Sequence, residues 1–128
     1  MAAKTQARFV PSLLARDLHT TASFYAGLGF EIAGRYPEEG AATWMELRHG
    51  ALAIQFHAEP PVDTPPGPVM SGTLYVYGAD VRTLADQVDG RIEFVWGPEV
   101  MDYGMFEFGV RDPDGYILAF AEPAPVSN

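Results

Sequence analysis

Cysteine is absent from the 128 residues, which removes disulfides, thiolate nucleophiles and thiolate-bound zinc together. Cations are scarce: 8 Lys and Arg stand against 17 Asp and Glu, a net charge of −9. No basic run exists to neutralise phosphates, so the balance disfavours nucleic acid and no such partner is expected. The acidity instead favours a cationic ligand over an anionic one. No apolar run approaches the roughly 20 residues that cross a bilayer, and Met1–Thr5 lacks the apolar core of a secretion signal. A cytoplasmic protein without a membrane partner is expected. Also missing are a G-x-S-x-G elbow and a phosphate-cradling glycine loop; the "GLG" at 27–29 reads as a helix stop.

What remains is a chain of globular composition, 48% hydrophobic, long enough to bury one core without staples. Residues 9–15 read as a strand that begins at an edge, because Pro11 cannot donate to a ladder. Asp17 is placed to cap a helix whose stripe is Leu18, Ala22, Tyr25 and Leu28, ended by Gly27 and Gly29. Three short segments rich in apolar and aromatic residues follow at 30–36, 42–49 and 51–58. Residues 59–71 hold five of the 11 prolines and read as a stiff connector. The order then repeats: a strand at 72–78, a helix capped by Asp80 and stopped by Gly90, and strands at 91–97, 103–111 and 115–121. Asp17 and Asp80 lie 63 residues apart, and the turn glycines Gly50 and Gly115 lie 65 apart, which fits a duplicated module. A single domain over 1–128 is expected, with modules at about 8–58 and 72–122 around the connector.

Three stretches carry a family resemblance: "VPSLLARDLHTTASFYAGLGFE" (10–31), "HGALAIQF" (49–56) and "FEFGVRDPDGYILAFAEP" (106–123). They resemble the vicinal oxygen chelate superfamily, which includes glyoxalases, bleomycin-resistance proteins, fosfomycin-resistance enzymes and extradiol dioxygenases. The resemblance implies an α+β fold of two βαβββ modules in tandem, forming a cupped mixed sheet, and a homodimer with sites shared between chains. One scaffold hosts many chemistries, so function has to be argued from the site.

Metal-using members of that superfamily take His, Glu or Gln from inward faces of four strands. Carried over by distance from the Asp caps and turn glycines, the four positions fall at Val10 or Pro11, at Gln55, at Thr73 or Leu74, and at Ala119. Only Gln55 offers a side-chain donor of the usual kind, so no metal and no cofactor are expected. His19 and His49 read as solvated. His57 shares the face of Gln55 by strand alternation and can line a cavity with it.

Aromatic residues are the remaining signal. Tyr75 and Tyr77 alternate onto the face of Thr73, and Trp44, Trp96 and Tyr103 lie on strands or strand ends. Buried Tyr and Trp need partners for their polar tips. The expected ligand-binding residues are Trp44, Gln55, His57, Tyr75, Tyr77, Trp96 and Tyr103, suited to an aromatic or cationic small organic molecule. The reading is a bleomycin-resistance-like binding protein that sequesters its ligand without chemistry, so no catalytic residue is assigned. Two alternatives stay open: a metal-dependent lyase, isomerase or dioxygenase with unusual ligands, and a metal-free enzyme using Tyr, His or Glu107 as acid–base groups.

Overall fold

A computed structural model describes residues 8–60, 66–78 and 80–125; part of the expected connector lies outside them. The element order is β1 (Ser12–Leu14), α1 (Leu18–Ala26), β2 (Glu31–Tyr36), β3 (Trp44–His49), β4 (Leu52–His57), β5 (Thr73–Tyr77), α2 (Val81–Val88), β6 (Phe94–Val100), β7 (Met105–Arg111) and β8 (Ile117–Pro123). This is the expected βαβββ unit, twice. Each unit makes one four-stranded mixed sheet, in the orders β1-β4-β3-β2 and β5-β8-β7-β6. Among the described residues the parallel pairs are β1 with β4 and β5 with β8, because a helix crossover connects each unit's first strand to the rest.

Helix α1 forms as its sequence predicts. Asp17 accepts from the Thr20 N–H at 3.1 Å, and Leu18, Thr21 and Tyr25 are buried. Its exit is a glycine-assisted stop: Gly29 takes φ +94°, and the Phe30 N–H reaches back to the Tyr25 carbonyl at 3.0 Å, satisfying an otherwise free acceptor. The second cap departs from expectation. Asp80 stands at the N-cap position of α2 but has φ 65° and makes no side-chain cap bond. Glu122, distant in sequence, accepts from the Arg82 N–H at 3.1 Å instead. With the Asp80 backbone left-handed and its carboxylate unused at the cap, Glu122 on β8 fills the role.

Strand boundaries shift most in the second unit. Strand β6 runs to Val100 rather than stopping at residue 97, and β8 runs from Ile117 to Pro123 rather than from 115 to 121. The reason for the later start of β8 is the turn before it, where Asp112 accepts from the N–H groups of Asp114 at 2.8 Å and Tyr116 at 3.0 Å. That Asx-type turn occupies residues otherwise available to the strand.

One face of each sheet and both helices share a single hydrophobic cluster that includes Tyr25, Leu47, Phe56, Val81, Val88, Phe108 and Leu118. Polar bonds cross between the units. The buried Tyr25 hydroxyl donates to Asp112 at 2.9 Å, and the Tyr116 hydroxyl donates to the Leu14 carbonyl at 2.7 Å. Arg16 pairs with Asp114 at 3.3 Å. The opposite face of each sheet points away from this common core, and the candidate functional residues lie there. Among the described residues, no helix is long and apolar enough to cross a membrane.

Candidate functional site

The register decides which side chains meet. On the outward face of the second sheet, Tyr75 stands beside Ala119 and Tyr77 beside Ala121. Glu107 lies across from Ala121, and Gly109 from Ala119. Trp96 is opposite Gly109, and Glu99 is opposite Glu107. These residues build one constellation around Glu107, which is 1% exposed. Its Oε2 accepts from the Tyr75 hydroxyl at 3.1 Å and from the Trp96 indole N–H at 2.9 Å; its Oε1 accepts from the Tyr103 hydroxyl at 2.6 Å. All three donors are neutral, and among the described residues Glu107 has no ion-pair partner. The hydrogen bond to Glu107 holds the Tyr103 phenol above its ordinary value. Tyr75 is also raised: its bond with Tyr103 acts in the opposite direction, but burial and the Glu107 carboxylate outweigh it.

The ring of Tyr77 stacks on Tyr75 with centroids 5.5 Å apart and planes within 16°. Tyr75, Tyr77 and Tyr103 all remain exposed. Trp96 lies flat over Gly109, where an added Cβ would come within 2.6 Å of the indole ring. Glycine is therefore required for Trp96 to reach Glu107. Gly109→Ala should push the indole off the sheet, break its bond to Glu107 and cost about 2 kcal/mol, in the range of overpacked sites. A red-shifted tryptophan emission and a lower urea midpoint are the expected readouts; an unchanged spectrum would refute the arrangement.

The first sheet carries a separate, more polar group. Glu46, buried at 7% exposure, accepts from Gln55 Nε2 at 3.0 Å and from Arg48 Nε at 2.6 Å. The Gln55 bond, with help from Arg48, holds the Glu46 carboxyl below its ordinary value despite its burial. His57 Nδ1 lies 3.3 Å from Ser12 Oγ, while Nε2 is buried without a partner among the described residues. Trp44 rests against Gly34 and pairs across the ladder with His57. His19 and His49 are exposed, and the His49 ring lies 5.6 Å from that of Phe30.

The seven expected ligand contacts thus fall into two groups. Tyr75, Tyr77, Trp96 and Tyr103 come together on the second sheet. Trp44, Gln55 and His57 share the first sheet's outward face. Glu46 and Glu107 are the residues that assignment omitted as ligand contacts. Both sit between apolar neighbours ("MEL", "FEF") on strands with strict alternation, and a carboxylate opposite a core-facing pair was the available signal. A cleft of about 300 Å³ between the two units is lined by apolar side chains including Phe30, Ile54, Leu74 and Leu118, with Tyr75 at its border.

The geometry also tests the metal positions. Gln55 pairs with Ser12 and Ala119 with Tyr75, so Ser12 and Tyr75 occupy the levels opposite the second and fourth positions. Ala119 has no donor, and Gln55, whose Nε2 donates to Glu46, offers only its amide oxygen. No group of three or more His, Cys, Asp or Glu able to hold an ion occurs among the described residues. This donor set does not fit a divalent metal.

Comparison with known proteins agrees with the fold. The family model described as Glyoxalase/Bleomycin resistance protein/Dioxygenase superfamily matches residues 7–120. A bleomycin resistance protein of Klebsiella pneumoniae is 31% identical over 117 residues, covering 84% of this chain and 86% of its own. The bleomycin resistance determinant encoded on transposon Tn5 superposes with a TM-score of 0.70 at 28% identity, covering 92% of this chain and 98% of that one. TioX from Micromonospora sp. ML1 superposes with a TM-score of 0.79 at 19% identity, covering 92% and 99%; at that identity the likeness concerns fold alone.

Proposed function

We propose that this chain, which belongs to the glyoxalase/bleomycin resistance protein/dioxygenase superfamily, sequesters an aromatic or cationic organic molecule against its outward sheet faces, without metal and without turnover. One observation carries the reading: a buried carboxylate, Glu107, is held only by neutral donors and roofed by exposed aromatic rings. A buried charge without a counter-charge is costly. A cationic ligand supplies that counter-charge, and the stacked tyrosines supply a surface for flat groups. The named relatives support a small organic ligand and make bleomycin the first compound to try.

Exposed aromatic surface on the outward faces argues for a homodimer. Tyr36 on the first sheet and Tyr75, Tyr77 and Tyr103 around Glu107 are each at least 43% exposed, and exposed apolar surface grouped in this way marks an interaction site. A second copy laid over these faces would cover it and turn two open faces into walled clefts. Light scattering should give twice the 14.0 kDa chain mass; a monomer throughout the micromolar range would refute the pairing. Elemental analysis should find no stoichiometric transition metal, and one ion per chain, lost on replacing Gln55 or His57, would favour the metal-enzyme alternative.

Binding is tested by titrating the protein with bleomycin and a panel of cationic and neutral aromatics, followed by tryptophan fluorescence. Stacking anchors cost about 2 kcal/mol on truncation, so Tyr75→Ala or Trp44→Ala should weaken binding roughly thirtyfold. The proposal fails if no compound saturates, if these variants stay folded with unchanged affinity, or if a bound compound is converted to product.

A further inference from the structure

Resting on that reading, the lone pairs of Glu107 narrow the chemistry of the ligand. An ionised carboxylate has about four acceptor positions on its two oxygens. Tyr75 and Trp96 fill both on Oε2, and Tyr103 takes one on Oε1. One position remains, and the group is 1% exposed. A guanidinium binds a carboxylate through two parallel N–H bonds, and a primary ammonium brings three donors. Neither finds enough acceptors on Glu107 itself, and each donor held there without water or a partner is penalised. A fully alkylated ammonium has no donor to satisfy. It needs only negative potential and aromatic faces, and both are present.

We infer that the outward face of the second sheet selects a permanent, alkylated cation, such as a quaternary ammonium group or an N-alkylated heteroaromatic ring, over guanidinium and primary amines. The Tyr75–Tyr77 stack and Trp96 form its aromatic wall, and Glu107 is the charge beneath. Glu99, paired with Glu107 on the same face, adds negative potential. Arg111 is on the same strand but four residues away, about 13 Å at strand rise.

Isothermal titration calorimetry on the full chain tests this with four compounds sharing one naphthylmethyl scaffold. They carry a trimethylammonium, a primary ammonium, a guanidinium or a neutral tert-butyl group. The trimethylammonium compound should bind about tenfold tighter than each of the others. Glu107→Gln should erase its advantage over the tert-butyl compound. Tyr103→Phe, an exposed change that spares the fold, frees an acceptor on Oε1 and should narrow the gap to the ammonium and guanidinium compounds. Equal or tighter binding of the guanidinium or primary ammonium compound overturns the inference and leaves the proposed function intact. Equal binding of the neutral compound removes any role for charge. Saturable binding by none of the four, with the chain folded, removes both this inference and the sequestration reading for this face.

Discussion

Replacing Asp112 by alanine should destabilise the protein by about 3 kcal/mol, the largest loss expected from a single polar side chain. Asp112 is 4% exposed and Tyr25 is fully buried. The carboxylate accepts from the Tyr25 hydroxyl and from the N–H groups of Asp114 and Tyr116. Alanine leaves three donors unsatisfied, each penalised by about 1 kcal/mol or more when buried, partly offset by removal of a desolvated charge. The bonds join α1 of the first unit to the β7–β8 turn of the second, so the loss falls on the contact between units. Tyr25→Phe, which removes one donor and no acceptor, should cost about 1 kcal/mol. Asp112→Asn should be similarly mild: its remaining oxygen serves both backbone donors, and Tyr25 can turn to accept from the new amide. Urea unfolding measures all three, and an alanine variant within 0.5 kcal/mol of the parent, well below the penalty for unsatisfied donors, would refute this account.

The pH dependence of stability should carry both signs. Burial raises the Asp112 carboxyl above its ordinary value. A group raised in the folded state contributes stability that is present below its unfolded value and lost as pH climbs through the folded one. Asp112 therefore does not drive acid unfolding. Glu46 is lowered by its bond from Gln55, and its contribution is present above its unfolded value near 4.5 and lost as pH falls through the lower folded value. Asp17, lowered by the Thr20 N–H, behaves likewise. In an acid titration of the urea midpoint, Glu46→Gln should flatten the profile below about pH 4.5, where the ordinary glutamate value lies, and Asp112→Asn should not.

An alanine at Gly97 is expected to be as damaging, about 3 kcal/mol, and to disable the binding face. Gly97 has φ +70°, and a Cβ there would sit 2.3 Å from the Glu107 carbonyl oxygen and 3.2 Å from the Phe108 Cα. A left-handed backbone costs a side-chain-bearing residue about 1–2 kcal/mol, and the overlap adds about 1–3 kcal/mol. The obstruction is backbone on the neighbouring strand, so relief requires β6 to lift from β7. That movement would carry Trp96 and Glu99 away from Glu107. Gly109→Ala differs because the indole it strikes can rotate aside. The two variants should therefore separate: Gly97→Ala loses stability and ligand binding together, while Gly109→Ala changes tryptophan emission at a smaller stability cost. Equal, minor effects of both would contradict the close β6–β7 approach.

The local order of this protein was legible in its sequence. Period-two and helical spacing, the Asp17 cap, the Gly29 stop and the Asp-Pro-Asp-Gly turn act over a few residues, so they gave ten elements in the right order. Alternation likewise put Gln55 with His57 and Tyr75 with Tyr77, because side-chain direction in a strand is a local property. The site was legible only in part. Four expected contacts gather at Glu107 and three lie on the other sheet, a division set by how two ladders pack through a common core. Glu46 and Glu107 were recognisable as strand residues, but their burial depends on partners up to 32 positions away. The choice of Glu122 over Asp80 at the start of α2, the reach of Tyr25 to Asp112 across 87 positions and the fit of Trp96 over Gly109 were decided by the tertiary structure alone. Each is a contact between segments whose spacing in the chain says nothing about their distance in space, and a hydrogen bond or a ring on a glycine exists only when that distance is right to within a fraction of an ångström.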